Sequence, residues 1–259
     1  MTQQVSVFPV RVRAMDFRLS VRFREDGDNL ILFVHGLGCS KDSWRDAWQR
    51  PELRGKSLLA LDLPGFGHST CPPGFTADLA DYARVLGALI DAHALRRIHL
   101  VAHSMGGSIA LLLPSQVLSR LASLVLVEPR MFKSSCGIAA EAAEVSLEEF
   151  QHTVFPAMRQ RMSGDPHAMF DLDRADTGIF YASSQSLIQW AAGRELLERY
   201  EHADCRKYFI YGAENTHLQE LNFVAPASTR SIESAAHFVM QDNPDGFYAC
   251  LSSLVGSVD

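Results

Sequence analysis

The sequence predicts an α/β fold built on a largely parallel sheet and interrupted once by a long helical insert. Two observations carry this. In the first half, short apolar runs that stop at Gly, Asp or Pro turns alternate with stretches of helical spacing, the pattern of strands buried under helices on both faces. From Arg130 to about Cys205 the strand pattern is missing, and two further strands then follow. With 259 residues, 47% hydrophobic and 21% charged, the chain suits one sizeable domain carrying an insert, and neither a disordered nor a fibrous class.

The elements follow in order. Val5–Arg13 and Phe17–Phe23 alternate as a hairpin. Asn29–Val34 (NLILFV) and Ser57–Leu61 (SLLAL) are continuous apolar runs, as expected of strands covered on both sides. Thr76–Leu95 has helical spacing and many alanines, Arg97–Ala102 (RIHLVA) is a strand, and a helix from Met105 should stop near Pro114. Ser123–Val127 (SLVLV) is the next strand. The insert has helical stretches at Ser146–Met162, interrupted by Pro156, and at Ser184–Tyr200. Strands resume at Tyr208–Tyr211 and Ser228–Ile232, and Pro244–Val255 closes the chain as a helix. About 75 residues between two strands of one sheet exceed an ordinary connection, so we divide the chain into a core (1–129), an insert (130–205) and a second core segment (206–259).

Composition narrows the function. The formal net charge is −6 and the basic residues are scattered, which argues against nucleic acid or an anionic membrane as the main partner. The cysteines Cys39, Cys71, Cys136, Cys205 and Cys250 show no CxxC or Cys/His spacing, so reduced thiols are expected and no metal site. The N-terminus lacks the basic start and apolar core of a signal peptide, and no run reaches the ~20 apolar residues of a membrane span. A cytoplasmic location is the expectation.

The chemistry concentrates at three junctions. In Leu100-Val101-Ala102-His103-Ser104-Met105-Gly106-Gly107 a serine stands between a buried strand and a helix, among small residues. A sharp turn there projects Oγ from the sheet as a nucleophile, with Ala102 in place of the first glycine of G-x-S-x-G. His35-Gly36-Leu37-Gly38 follows NLILFV, and its glycines free the backbone to face a cavity. The N–H groups of Leu37 and Met105 are the candidate oxyanion donors, the second favoured also by the helix dipole. The third junction is Ala235-Ala236-His237-Phe238, beyond the last strand and before Asn243-Pro244. Of ten histidines, His237 is singled out as the general base by its position and by the order Ser…acid…His. Asp62 is read as the anchor of the turn that follows it, and His35 and His103 as structural neighbours of the site.

Taken together, HGLG, Asp62-Leu63-Pro64-Gly65-Phe66-Gly67-His68-Ser69, HSMGG and AAHF…NP resemble the α/β-hydrolase family, most closely its lid-bearing esterase, thioesterase and C–C hydrolase branches. The resemblance covers the chain outside the insert. It implies an eight-stranded, mostly parallel sheet flanked by helices, with the insert folded over the site as a cap.

It also exposes a departure. The family's acid usually stands three residues after the glycine that ends the penultimate strand; that glycine matches Gly212, and the position holds Asn215, which has no charge to stabilise an imidazolium. Two carboxylates are candidates: Glu128, at the end of SLVLV, where some haloalkane dehalogenases place their acid, and Glu214, beside Asn215. We favour Glu128, held extended by Pro129. The bland alternative for Glu128 is a salt bridge to Arg130 or to an arginine of the insert.

The expected reaction is two-step acyl transfer on a small, largely apolar ester or thioester, without metal or organic cofactor. Of the insert's apolar side chains, Phe150, Phe155, Met158, Met162, Met169, Phe170, Phe180, Tyr181 and Trp190, most are expected to pack within the core and the cap and some to line the roof of an apolar pocket. The insert shows no clear basic cluster, so uncharged substrates are expected; a preference for anions would point instead to Arg159, Arg161 and Arg174. The rivals are a C–C hydrolase, lactonase or lyase on the same residues, and a non-catalytic receptor for an apolar ligand.

Overall fold

A computed structural model describes residues 4–93 and 96–256. Eight strands form one sheet: β1 (Gln4–Val12), β2 (Met15–Arg24), β3 (Asn29–Val34), β4 (Ser57–Leu61), β5 (Arg97–His103), β6 (Ser123–Val127), β7 (Lys207–Gly212) and β8 (Thr229–Ile232). Their spatial order is β1-β2-β4-β3-β5-β6-β7-β8. β2 runs antiparallel to β1 and β4, and every pairing beyond β4 is parallel. This is the mostly parallel, eight-stranded architecture that the family resemblance implies.

The period of two along each strand sorts side chains into two cores. Leu30, Leu32 and Val34 of β3, Leu100 and Ala102 of β5, and Leu124 and Leu126 of β6 face one hydrophobic cluster. Ile31, Phe33, Val101, Val125 and Val127 face the other. Each of the larger side chains contributes roughly 1.5–3 kcal/mol by leaving water, which explains why the central strands read as unbroken apolar runs. β3 has β4 on one side and β5 on the other, so the crossover from β3 to β4 and the one from β4 back past β3 to β5 run in opposite directions. At such a switch point a crevice opens beyond the carboxyl ends of the strands, and ligands of open α/β sheets bind there.

The helices refine the expectations at their ends. α1 spans Leu79–Ala92, because the side chain of Asp78 rather than Thr76 caps it by accepting from the Ala80 N–H; the expected end at Leu95 lies outside the described residues. α2 (Met105–Leu111) stops before Pro114. A 3-10 helix over Lys41–Gln49, absent from the sequence-based expectations, buries Trp44 against Phe33 and Phe247.

Between β6 and β7 the described residues contain helices and no strand, chiefly Gly137–Ala143, Phe155–Arg161, Pro166–Leu172, Thr177–Ala191 and Glu195–His202. Pro156 does not break its helix as expected. Phe150–Val154 form a π-turn, and Pro156 falls in the first turn of the α-helix beyond it, where a missing N–H costs least. The second helical stretch divides near Gly193 and begins earlier, at Thr177.

This helical segment rests on the loops at the carboxyl edge of the sheet. The Asp176 N–H donates to the Gly65 carbonyl (2.9 Å), the Ser40 hydroxyl to Asp171 (2.5 Å), and Phe180 packs against Phe66. No helix among the described residues is long and apolar enough to cross a membrane.

Candidate active site

Ser104 follows β5 with φ 53° and ψ −122°, a left-handed φ that a non-glycine residue adopts only where its surroundings enforce it. Those surroundings are tight. A Cβ on Gly106 would stand 2.5 Å from the His35 carbonyl oxygen, so only glycine lets α2 approach the turn after β3. A Cβ on Gly36 would meet the Ser104 Cβ at 2.9 Å and its Oγ at 3.4 Å. The backbone of the HGLG turn therefore passes directly beside the serine hydroxyl, where the N–H groups of Leu37 and Met105 are expected to serve.

Two neighbouring strands, β5 and β6, and the loop beyond β8 deliver three side chains to one edge. The Ser104 N–H bonds to the Val127 carbonyl and the Glu128 N–H to the Ile210 carbonyl, which aligns the ends of β5, β6 and β7. His237 Nε2 lies 3.1 Å from Ser104 Oγ, and its Nδ1 lies 2.8 Å from Glu128 Oε2. A carboxylate can only accept, so Nδ1 carries the proton and Nε2 accepts from the serine hydroxyl. Burial, and then the Arg130 guanidinium, hold the His237 imidazole well below its ordinary range. A neutral ring so placed can take a proton from Ser104.

Glu128 is fully buried and fully engaged. Oε1 accepts from the Gly212 N–H (3.0 Å), and the Asn215 side-chain amide donates to Oε1 (2.9 Å) and Oε2 (3.0 Å). Its backbone departs from the expectation: φ is +43°, so Pro129 does not keep it extended. The chain turns sharply at the end of β6, and the side chain reaches across β7 to the histidine loop. Glu214 is exposed, and among the described residues no hydrogen bond or ion pair joins it to His237.

The surrounding residues are largely scaffolding. Asp62 accepts from the backbone N–H of Lys41 (2.7 Å) and of His68 (2.9 Å) and pairs with the buried Lys41 ammonium (2.7 Å), which anchors both flanking turns. The His35 Nε2 accepts from the Leu63 N–H and joins the loops after β3 and β4. His103 does more than neighbour the site. It donates from Nε2 to the His237 carbonyl (2.9 Å) and so holds the loop that carries His237. Asn215, which in the sequence marks the place of a missing acid, donates to the Glu128 carboxylate; its position three residues after Gly212 was the available signal.

Two cavities flank this group. One, of about 210 Å³, is bounded by Leu37, Gly38 and Cys39 of the first loop, Phe180 and Leu172 of the helical segment, and Phe238. The other, of about 350 Å³, touches His237 and is lined mainly by polar side chains, including Arg130, Asn215 and His217. Arg130 Nη2 lies 2.7 Å from Nδ1 and 3.0 Å from Nε2 of His237. The sequence suggests this arginine only as a salt-bridge partner for Glu128. Among the described residues no group of three or more His, Cys, Asp or Glu side chains is arranged to hold a metal ion.

Residues 31–249 match the alpha/beta hydrolase family. The 2-succinyl-6-hydroxy-2,4-cyclohexadiene-1-carboxylate synthase of Salmonella agona (strain SL483) is 24% identical over 250 residues, 89% of this chain and 95% of that protein. The structure of the N-acyl homoserine lactonase AidH complexed with N-butanoyl homoserine superposes with a TM-score of 0.77 at 17% identity, covering 98% of this chain and 99% of that one. A thermophilic esterase from Thermogutta terrifontis gives 0.73 at 19% identity, covering 98% of each. With the strand order, the strained serine and the match over most of its length in agreement, the chain belongs to the alpha/beta hydrolase family.

Proposed function

We propose that this protein is a serine hydrolase that cleaves a small, largely apolar ester or thioester through an acyl-enzyme. The hydrogen-bonded series Glu128–His237–Ser104 carries this reading. His237 takes the Ser104 proton as Oγ attacks the carbonyl carbon, and the Leu37 and Met105 N–H groups receive the oxyanion. The imidazolium, stabilised by Glu128, then protonates the leaving group; a water activated by the same histidine hydrolyses the acyl-enzyme. The apolar cavity beside Leu37 and Phe180 suits a short-to-medium acyl group, with residues 130–205 acting as its cap.

A fluorophosphonate probe tests the assignment. It should label the native protein at Ser104 and leave Ser104→Ala unlabelled, while the variant keeps its circular dichroism and loses nearly all hydrolysis of p-nitrophenyl butyrate. Wild-type turnover by Ser104→Ala would overturn the mechanism. A screen over acyl length with oxygen and sulfur leaving groups then chooses among ester, thioester and lactone.

A second reading, a lyase on the same residues with His237 abstracting a carbon-bound proton, is favoured by relatives named as synthases that match almost end to end. An acyl-enzyme trapped on Ser104 by rapid acid quench supports hydrolysis over it. The receptor reading loses its motive, since it rested on the want of a carboxylate at Asn215 and Glu128 stands against His237.

A further inference from the structure

Arg130 is the cation that the acyl-transfer mechanism leaves unexplained. An Nη2 atom within 3.0 Å of both nitrogens of one imidazole cannot lie in the ring plane without overlapping a ring carbon, so the guanidinium sits over the face of His237. The in-plane partners of that ring are Glu128 and Ser104. Among the described residues Arg130 makes no ion pair within 4.0 Å, and its Nε and Nη1 make no hydrogen bond. The backbone around it is firmly held. The buried Glu220 accepts from the Met131 N–H (3.0 Å) and the Ser135 hydroxyl (2.7 Å), and the Arg130 carbonyl accepts from Ser108 (2.7 Å).

The cavity next to it has the matching chemistry. Arg130, Ser134, Asn215, His217 and His237 line it, and no aspartate or glutamate does. It is lined by His237, the side chain that would hand the leaving group its proton. The arginines that the sequence nominates for anion binding are engaged elsewhere: Arg159 with Asp173, Arg161 with Glu141, and Arg174 over the Phe170 ring. Turnover requires a cation on His237 within contact distance of the guanidinium, and a substrate anion drawing Arg130 into the cavity relieves that repulsion. One planar guanidinium with free N–H groups matches one carboxylate in bidentate fashion.

We propose that Arg130 and the polar cavity beside His237 bind a carboxylate carried on the leaving-group half of the substrate. The proposal deepens the serine-hydrolase reading and rests on it. It narrows the substrate to an apolar acyl group joined to an anionic leaving group, in place of the uncharged compounds expected from sequence.

Paired esters provide the test: meta-butanoyloxybenzoate and its carboxamide share the acyl group and differ in the charge of the released phenol. The native enzyme should prefer the carboxylate in kcat/KM by about tenfold or more, the worth of one charge-assisted contact. Arg130→Gln should lose that ratio, and Arg130→Lys should recover part of it. An unchanged ratio in Arg130→Gln would overturn the proposal, and a general structural defect would lower both rates and leave the ratio alone. Binding of the same esters to Ser104→Ala by calorimetry needs no chemistry. Tighter binding of the carboxylate, lost in Ser104→Ala/Arg130→Gln, supports the site even if fluorophosphonate labelling refutes the hydrolase reading. Equal binding of both esters to Ser104→Ala refutes the site while leaving that reading untouched.

Discussion

Replacing Glu128 with glutamine removes one charge and keeps the shape, and the surrounding donors dictate how the new side chain must orient. Oε1 receives the Gly212 N–H at 3.0 Å and the Asn215 amide at 2.9 Å, and Oε2 faces His237 Nδ1 at 2.8 Å. If the new amide kept its oxygen toward His237, its NH2 would confront two donors. Leaving those unsatisfied costs about 1–3 kcal/mol each, or roughly 2–6 kcal/mol together. The amide therefore turns its NH2 to Nδ1. His237 must then accept at Nδ1 and carry its proton on Nε2, facing Ser104 in the tautomer that cannot act as a base. The same swap of acid for amide in a serine protease costs about 10⁴-fold in kcat, close to 5.4 kcal/mol at about 1.36 kcal/mol per decade. Glu128→Gln should approach that loss on p-nitrophenyl butyrate while its circular dichroism stays native. Glu214→Gln, altering an exposed side chain with no bond to His237, should stay within about threefold of the native rate, since surface changes seldom matter more. A Glu128→Gln rate within about tenfold of native would refute the reasoning, and a collapse in Glu214→Gln alone would move the acid to the loop after β7.

The titrating groups set further outcomes. His237 is held well below its ordinary value by burial and then by Arg130, so the acid limb of the kcat/KM profile should fall below pH 6.5. Arg130→Gln should move that limb upward, and a native limb above 6.5 would contradict the assignment. Burial, partly offset by the Ser40 hydroxyl and reinforced by Asp42 and Asp62, pushes the Asp171 carboxyl up to about 6 from 3.8. The folded state then holds this proton more tightly than the unfolded chain, so stability falls as pH rises from about 4 to about 6 and stays lower above. Asp171→Asn should therefore stabilise the fold by up to about 3 kcal/mol at pH near 7.5 and by almost nothing near pH 4, read from urea unfolding. Equal effects at both pH values would exclude a buried, ionising Asp171.

Much of the fold was legible because each signal was local. Asn29–Val34, Ser57–Leu61 and Ser123–Val127 are runs that suit a strand covered on both faces, and all three are strands with the expected bounds. Helix ends were less legible, since capping depends on one hydrogen bond: Asp78 takes that role, and α1 starts at Leu79 rather than at Thr76. Pro156 misled for a related reason. The π-turn before it carries the helical backbone through to Phe155–Arg161, and the proline stands in the first α-helical turn beyond it, where loss of its N–H is tolerated.

The class of fold and the placing of Ser104 and His237 beyond strand ends are legible in the chain, because turn chemistry and strand order are written in neighbouring residues. Which carboxylate meets His237, that Asn215 donates to it, and that Arg130 lies over the imidazole follow from packing across the fold. Those contacts join residues 87 to 109 positions apart, and they depend on the positive φ of Glu128, which Pro129 had argued against. Long-range geometry of this kind comes from how β6, β7 and the histidine loop are packed together, and no local pattern of residue types encodes it.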